Sequence, residues 1–147
     1  MTEYWQILWG LIGTVGFGVL FNIRGIKLAV AACGGVLSWG LFLLLSRFIE
    51  HEAVSYFAVA LCVSLYAEAM ARVLKTPTST FITTSLVPLI PGGSLYYTMA
   101  SAFDSDFALF LERATATLLL ASALALGIIA ATTATRLFYK CIERLKR

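Results

Sequence analysis

The segment Leu86–Tyr97 reads LVPLIPGGSLYY, with two prolines and two adjacent glycines inside a strongly apolar stretch. A proline in a helix interior removes a backbone donor and costs about 3 kcal/mol. Pro88 and Pro91, followed by Gly92 and Gly93, therefore predict an unwound backbone. Within a bilayer, such backbone is tolerated only where it is buried in protein or lines a wet cavity. The half-helix before the break would aim its last carbonyls at the interruption. The half-helix after it, with Ser94 as N-cap, would aim free N–H groups at the same place. That second end carries the equivalent of about half a positive charge and suits a carboxylate. Discontinuous helices of secondary transporters hold substrate carboxylates and coupling ions in this way. The preceding run TPTSTFITTS adds hydroxyls from Thr80, Thr83, Thr84 and Ser85, and Tyr96 and Tyr97 stand where they could close over a ligand. The plainer alternative is a kinked helix or two re-entrant arms, with each hydroxyl bonded to its own backbone.

Other polar groups are few. Glu68 is the one acidic residue inside a predicted span, and an intramembrane carboxylate is a functional candidate by default, here for proton or ion coupling. Arg72 lies four residues later on the same helix face, so a structural ion pair is the competing reading. Asn22, beside Arg24, suits a helix C-cap better than a ligand. His51 stands between Glu50 and Glu52 with no second His or Cys cluster near it, which points to an exposed loop rather than a metal site. Cys33, Cys62 and Cys141 are scattered without metal or disulfide spacing, so free thiols are expected. There is no intramembrane aspartate pair, no HExxH and no phosphate-binding glycine loop. Neither an enzyme nor a cofactor is expected.

The composition says what must position these groups. The 147 residues are 60% hydrophobic and 13% charged, with a mean hydropathy of +0.88. Soluble domains carry about 25% charged residues, so this chain belongs in a lipid bilayer. The expected fold is a single all-α transmembrane domain over residues 1–147. Its five helices are Tyr4–Phe21, Lys27–Ser46, Ala53–Val73, Thr78–Phe103 and Ala114–Tyr139, the fourth broken at its middle. The start MTEYWQILWG has no basic leader region and enters the first helix directly, with Tyr4 and Trp5 as interfacial anchors. Basic residues gather on one face: Arg24, Lys27, Arg72, Lys75, Arg136, Lys140, Arg144, Lys146 and Arg147. The other face holds Glu3, Glu50, Glu52, Asp104, Asp106 and Glu112, with Arg47 and Arg113. By the positive-inside rule the N-terminus lies outside and the C-terminus inside. The net charge of +3 thus reports topology and does not point to nucleic acid. Gly10, Gly13 and Gly16, Gly34 with Ser38, and Ala123, Gly127 and Ala131 mark faces where helices should pack closely.

The stretch PLIPGGSLYY, with FGVLFNIR at the end of the first helix and RVLKTP before the fourth, resembles the threonine/serine exporter family. Within it the likeness is to the small membrane-only subunit, of the YjjB type, over nearly the whole chain. The resemblance implies export of small amino acids such as threonine and serine, or of dicarboxylates such as succinate. It implies a bacterial cytoplasmic membrane, and a larger membrane subunit with a soluble domain and about five helices as partner. A homo-oligomer is the other way to complete the unit, since transporter folds often pair inverted repeats. On this reading Pro88, Pro91, Gly92, Gly93, Ser94, Thr84 and Tyr97 bind substrate, and Glu68 couples a proton or ion. The alternative is a membrane scaffold or assembly subunit that transports nothing itself.

Overall fold

A computed structural model describes residues 2–103 and 107–145. Asp104, Ser105, Asp106, Lys146 and Arg147, on which part of the charge map rests, lie outside the described residues, as does the side chain of Glu3. The described elements are α1 (Thr2–Leu20), α2 (Ile26–Leu45), α3 (Glu52–Val73), α4 (Thr78–Ser85), a 3-10 turn (Val87–Leu89), α5 (Gly92–Ser101) and α6 (Phe107–Leu145). Among the described residues there is no strand. Three helices are long and apolar enough to cross a bilayer: α2, α3, and α6 over Phe107–Cys141. The apolar part of α1, Tyr4–Leu20, is shorter. The protein is an all-α membrane protein.

The segment Thr78–Phe103 is two short helices, of 8 and 10 residues, separated by the 3-10 turn. One expectation about element bounds needs correction, that of the last helix. The last helix starts at Phe107 rather than Ala114, and runs 39 residues instead of stopping at Tyr139. The charges Glu112 and Arg113 suggested a loop, yet Ala, Leu, Glu and Arg are all strong helix formers and the helix runs through them. At about 1.5 Å per residue its 39 residues span roughly 58 Å, far beyond a hydrocarbon core of about 30 Å. At least one end of α6 must project.

Helices α1 and α3 stop by the same device. Ile23 N–H bonds to Gly18 O and Asn22 N–H to Val19 O, with Asn22 at φ 57°. Thr76 N–H bonds to Ala71 O and Lys75 N–H to Arg72 O, with Lys75 at φ 48°. Each is a Schellman closure, in which one left-handed residue lets the chain turn back and satisfy the last carbonyls. Asn22 is thus part of a helix cap, as its sequence context suggests.

Packing follows small residues. Helices α1 and α2 run antiparallel, with Thr14 seated on Gly35 and Leu28 on Gly18. Helices α2 and α3 are also antiparallel, joined by the Tyr66 hydroxyl donating to Val30 O (2.9 Å) and by edge-to-face Phe42 and Tyr56. Helices α3 and α6 run parallel. Ala53 and Phe57 face Leu119 to Leu126, Gly127 meets Ala60, and Arg72 lies on Tyr139. The core between α3, α6 and the 78–101 segment holds Tyr56, Val59, Val63, Leu86, Leu89, Leu120 and Ala123. A second cluster, Ala31, Ala67, Ala71 and Phe81, lies toward the end that carries Arg24, Arg72 and Lys75.

Of the small residues expected at close contacts, Gly34 and Gly127 are tightly packed, whereas a Cβ on Gly13 or Gly16 would meet nothing within 4 Å among the described residues. A Cβ on Gly127 would stand 2.7 Å from Phe57 O and 2.7 Å from the Ala60 Cβ. In an open helix, alanine is favoured over glycine by about 1 kcal/mol. Gly13→Ala should therefore hold or raise thermal stability in detergent. Gly127→Ala should lower it, by about 1–3 kcal/mol, because backbone cannot yield as a side chain can.

Candidate functional site

The interruption is built by missing donors. Leu86 N–H closes α4 on Ile82 O (3.1 Å), but Pro88 has no N–H to offer Thr84 O four residues back. The chain tightens instead, with Leu89 N–H on Leu86 O (2.9 Å) and Ile90 N–H on Val87 O (3.2 Å). Pro91 then sits at φ −75°, ψ 59°, and Gly92 N–H returns to Ile90 O at 2.7 Å. That is an inverse γ-turn. The first helical bond of α5 runs from Leu95 N–H to Pro91 O (3.0 Å), so Pro91 is the N-cap. Ser94 is not the cap expected from sequence. It falls inside the first turn, because the fixed φ of Pro91 lets the helix begin three residues earlier.

No side chain caps α5, and the N–H groups of Gly93 and Ser94 have no backbone partner among the described residues. Gly92 and Gly93 are exposed, and a Cβ on either would meet nothing within 4 Å. Neither has a positive φ; Gly25 is the one described glycine that does. The pair leaves the start of α5 bare rather than supplying an unusual backbone conformation.

A groove of 350 Å³ opens beside that bare helix start, lined by Ser94, Tyr97, Arg113, Ala116 and Thr117. Helix α6 supplies Arg113 and Thr117, one turn apart on a common face. The Arg113 guanidinium donates to Tyr97 O (3.3 Å) and its carbon stands 5.9 Å from the centre of the Tyr97 ring. The hydroxyls of Thr98 and Thr117 meet at 2.9 Å, and Thr98 also donates to Ser94 O at 2.8 Å. One groove therefore gathers a guanidinium, several hydroxyls and a helix N-terminus. Such a set can hold a carboxylate and a neighbouring hydroxyl.

On the other side of the break, Pro88 and Trp39 of α2 both approach Gly10, near the middle of α1. These residues, with Gln6 and Trp9, border a cleft of 310 Å³. Trp39 Nε1 is buried there without a hydrogen-bond partner among the described residues. Ser79, Thr80 and Thr83 line a further cleft of 240 Å³ with Phe21 and Ile23. Glu68 is 8% exposed, and Arg72 Nη2 donates to its Oε2 at 3.3 Å. The structure thus contains the ion pair that the spacing allowed.

The model of one known family, Threonine/Serine exporter, ThrE, matches residues 6–134. The chain belongs to the threonine/serine exporter family. No curated protein and no solved structure matches it. The family is one of transporters rather than enzymes, and the chain is a multi-pass membrane protein of exporter type.

Measured against an exporter's needs, the residues singled out from sequence divide into three groups. Ser94 and Tyr97 share the groove at the start of α5, with Gly92 and Gly93 on the adjoining turn. Pro88 and Pro91 shape the break without lining that groove. Thr84 stands apart, fully buried, with its hydroxyl donated to Thr80 O in its own helix and its methyl facing Gly18. Ser85 is likewise buried, against Gly34 and Ala31 O. Of the four hydroxyls expected along a polar path, Thr80 and Thr83 border a cleft. Sequence reasoning missed Arg113 and Thr117. The available signal was a basic residue on the acid-rich face, one turn before a threonine.

The Thr98–Thr117 contact links α5 to α6 through side-chain hydroxyls. Hydrogen bonds within membrane bundles average about 0.6 kcal/mol and reach about 1.7 kcal/mol. A double-mutant cycle with Thr98→Val and Thr117→Val should return a coupling in that range by reversible unfolding in mixed micelles. A coupling of zero would detach α5 from this register.

Proposed function

We propose that this chain is the small membrane-only subunit of a secondary exporter for threonine, serine or similar small carboxylate-bearing metabolites, dicarboxylates such as succinate included. The groove formed by Ser94, Tyr97, Arg113 and Thr117 at the bare start of α5 carries the reading. Arg113 takes the substrate carboxylate, aided by the free N–H groups of Gly93 and Ser94. The hydroxyls of Thr117 and Tyr97 receive the polar side group.

Five crossings, with the fourth discontinuous, fit the packing. Because α3 and α6 run parallel, the chain between them must return across the bundle. Helices α4 and α5 are about 12 Å and 15 Å long, so neither could span alone, but in series with the 3-10 turn they do. The turn stands level with Gly10, near the middle of α1, which supports a break near mid-membrane. Arg24, Arg72 and Lys75 share one end of the bundle, which supports a cytoplasmic C-terminus in a bacterial inner membrane. Leu95, Tyr96 and Met99 leave the outer face of α5 uncovered, which suits a larger partner subunit with a soluble domain and about five helices, or a second copy. Alternating access would then move α5 and α6 about the break.

Arg113→Gln should weaken binding of the carboxylate by about 1.5–3 kcal/mol, or roughly 10- to 100-fold, and reduce export accordingly in vesicles containing the partner. Unchanged export would dismiss the groove as the site. Replacing Pro88 and Pro91 together by Ala should give a stable but inactive protein, because the helix can then close across the break. Normal transport by that variant would favour a scaffold role. For topology, a membrane-impermeant thiol reagent should reach His51→Cys from outside and Cys141 only from inside.

A further inference from the structure

A second groove, of 370 Å³, lies between the last turns of α3 and the facing turns of α6, with Leu65, Ala69, Ala134 and Phe138 as its apolar wall. Its charged and polar lining is Glu68, Arg72, Thr135 and Tyr139. Pockets for small molecules usually measure about 300–1,000 Å³, so the space suits a ligand of amino-acid size. The chemistry of the wall is unusual in a bilayer protein, because it presents opposite charges side by side.

Those charges are not fully used on each other. The pair makes one 3.3 Å contact, between Arg72 Nη2 and Glu68 Oε2. The other carboxylate oxygen of Glu68 has no hydrogen-bond partner among the described residues. A guanidinium has five N–H donors in a fixed fork, and no other hydrogen bond from Arg72's fork appears among the described residues. The Arg72 side chain is 39% exposed, against 11% for Glu68, and lies 3.5 Å over the Tyr139 ring, which fixes its plane. Thr135 donates to Ala131 O at 2.7 Å, leaving the lone pairs of its oxygen to accept from a ligand. A ligand with a single charge would satisfy one of the two ions and face the other unfavourably. A zwitterion carrying ammonium and carboxylate on one carbon satisfies both.

We infer that this groove is a binding site for a zwitterionic α-amino acid, distinct from the groove at Arg113. The ammonium bonds to the free oxygen of Glu68, the carboxylate to the free edge of Arg72, and a side-chain hydroxyl to Thr135. Two charge-assisted hydrogen bonds are thereby added beside the existing ion-pair contact. A dicarboxylate is excluded, since its second carboxylate would face Glu68. The inference rests on the reading that the chain moves small amino acids. It adds a site at the end of the bundle opposite the Arg113 groove.

The test uses the full chain in lipid nanodiscs, with Cys33, Cys62 and Cys141 replaced by Ala and Ala134→Cys introduced in the groove wall. L-Threonine at about ten times its Kd should slow alkylation of that thiol about tenfold. Succinate, 3-hydroxybutyrate (no ammonium) and threoninol (no carboxylate) should not. Glu68→Gln and Arg72→Gln should each abolish protection, and Arg72→Lys should restore part of it. A monodisperse gel-filtration profile for each variant separates lost binding from lost folding. Absence of protection by L-threonine in the folded protein, or equal protection by succinate, overturns the inference. Protection should survive Arg113→Gln; its loss there would place threonine at the other groove and also overturn it. Export unaffected by Arg113→Gln would sink the Arg113 reading while leaving the alkylation result intact.

Discussion

The parallel seating of α6 on α3 is the constraint on which the rest of the bundle depends. At Gly127 the two backbones come so close that a methyl group would strike Phe57 O. Apolar burial drives little association in lipid, so this close approach must supply the attraction through dispersion and fit. Once α3 and α6 point the same way, the chain joining them has to travel back along the full length of α3. Thr78–Ser101 has that task. Its prolines decide that the return is made in two pieces.

Breaking the return segment there is costly in a medium without water, and the structure limits the cost locally. Leu86, Leu89, Ile90 and Gly92 each keep a short-range backbone bond through the 3-10 turn and the γ-turn. Leu89 is fully buried among Tyr56, Val59 and Val63, so the turn is anchored in the core rather than left loose. Among the described residues, what stays without a backbone partner is the start of α5, and there the wall includes Arg113, Ser94 and Thr117. The free donors, Arg113 and Thr117 gather on the side of α5 that faces α6. Its opposite side, with Leu95, Tyr96 and Met99, is apolar and open.

Much of this was legible in the sequence. Composition and the lengths of apolar runs determined an all-α membrane protein, because a bilayer leaves a chain of this kind few other ways to satisfy its backbone. Pro88 and Pro91 located the interruption, since a missing N–H acts locally whatever surrounds it. Asn22 announced a helix end, and the four-residue spacing of Glu68 and Arg72 announced their pair, for the same reason. The resemblance in PLIPGGSLYY pointed to the family. All these are short-range signals that one strand of text can carry.

Tertiary structure alone decided which groups meet. Nothing local distinguishes Gly127, packed against backbone, from Gly13, which faces open space; the difference is the presence of α3. Thr84 and Thr117 are both hydroxyls in apolar helices, yet one is folded back on Thr80 and the other faces a groove with Arg113. Arg113 read as a loop charge because the sequence could not show α5 returning antiparallel beside it. The Glu68–Arg72 pair was visible as a spacing, but its cavity was not, since Thr135 and Tyr139 come from a helix more than sixty residues away. Contacts between distant segments depend on how helices pack, and packing in lipid turns on shape, which sequence periodicity does not encode.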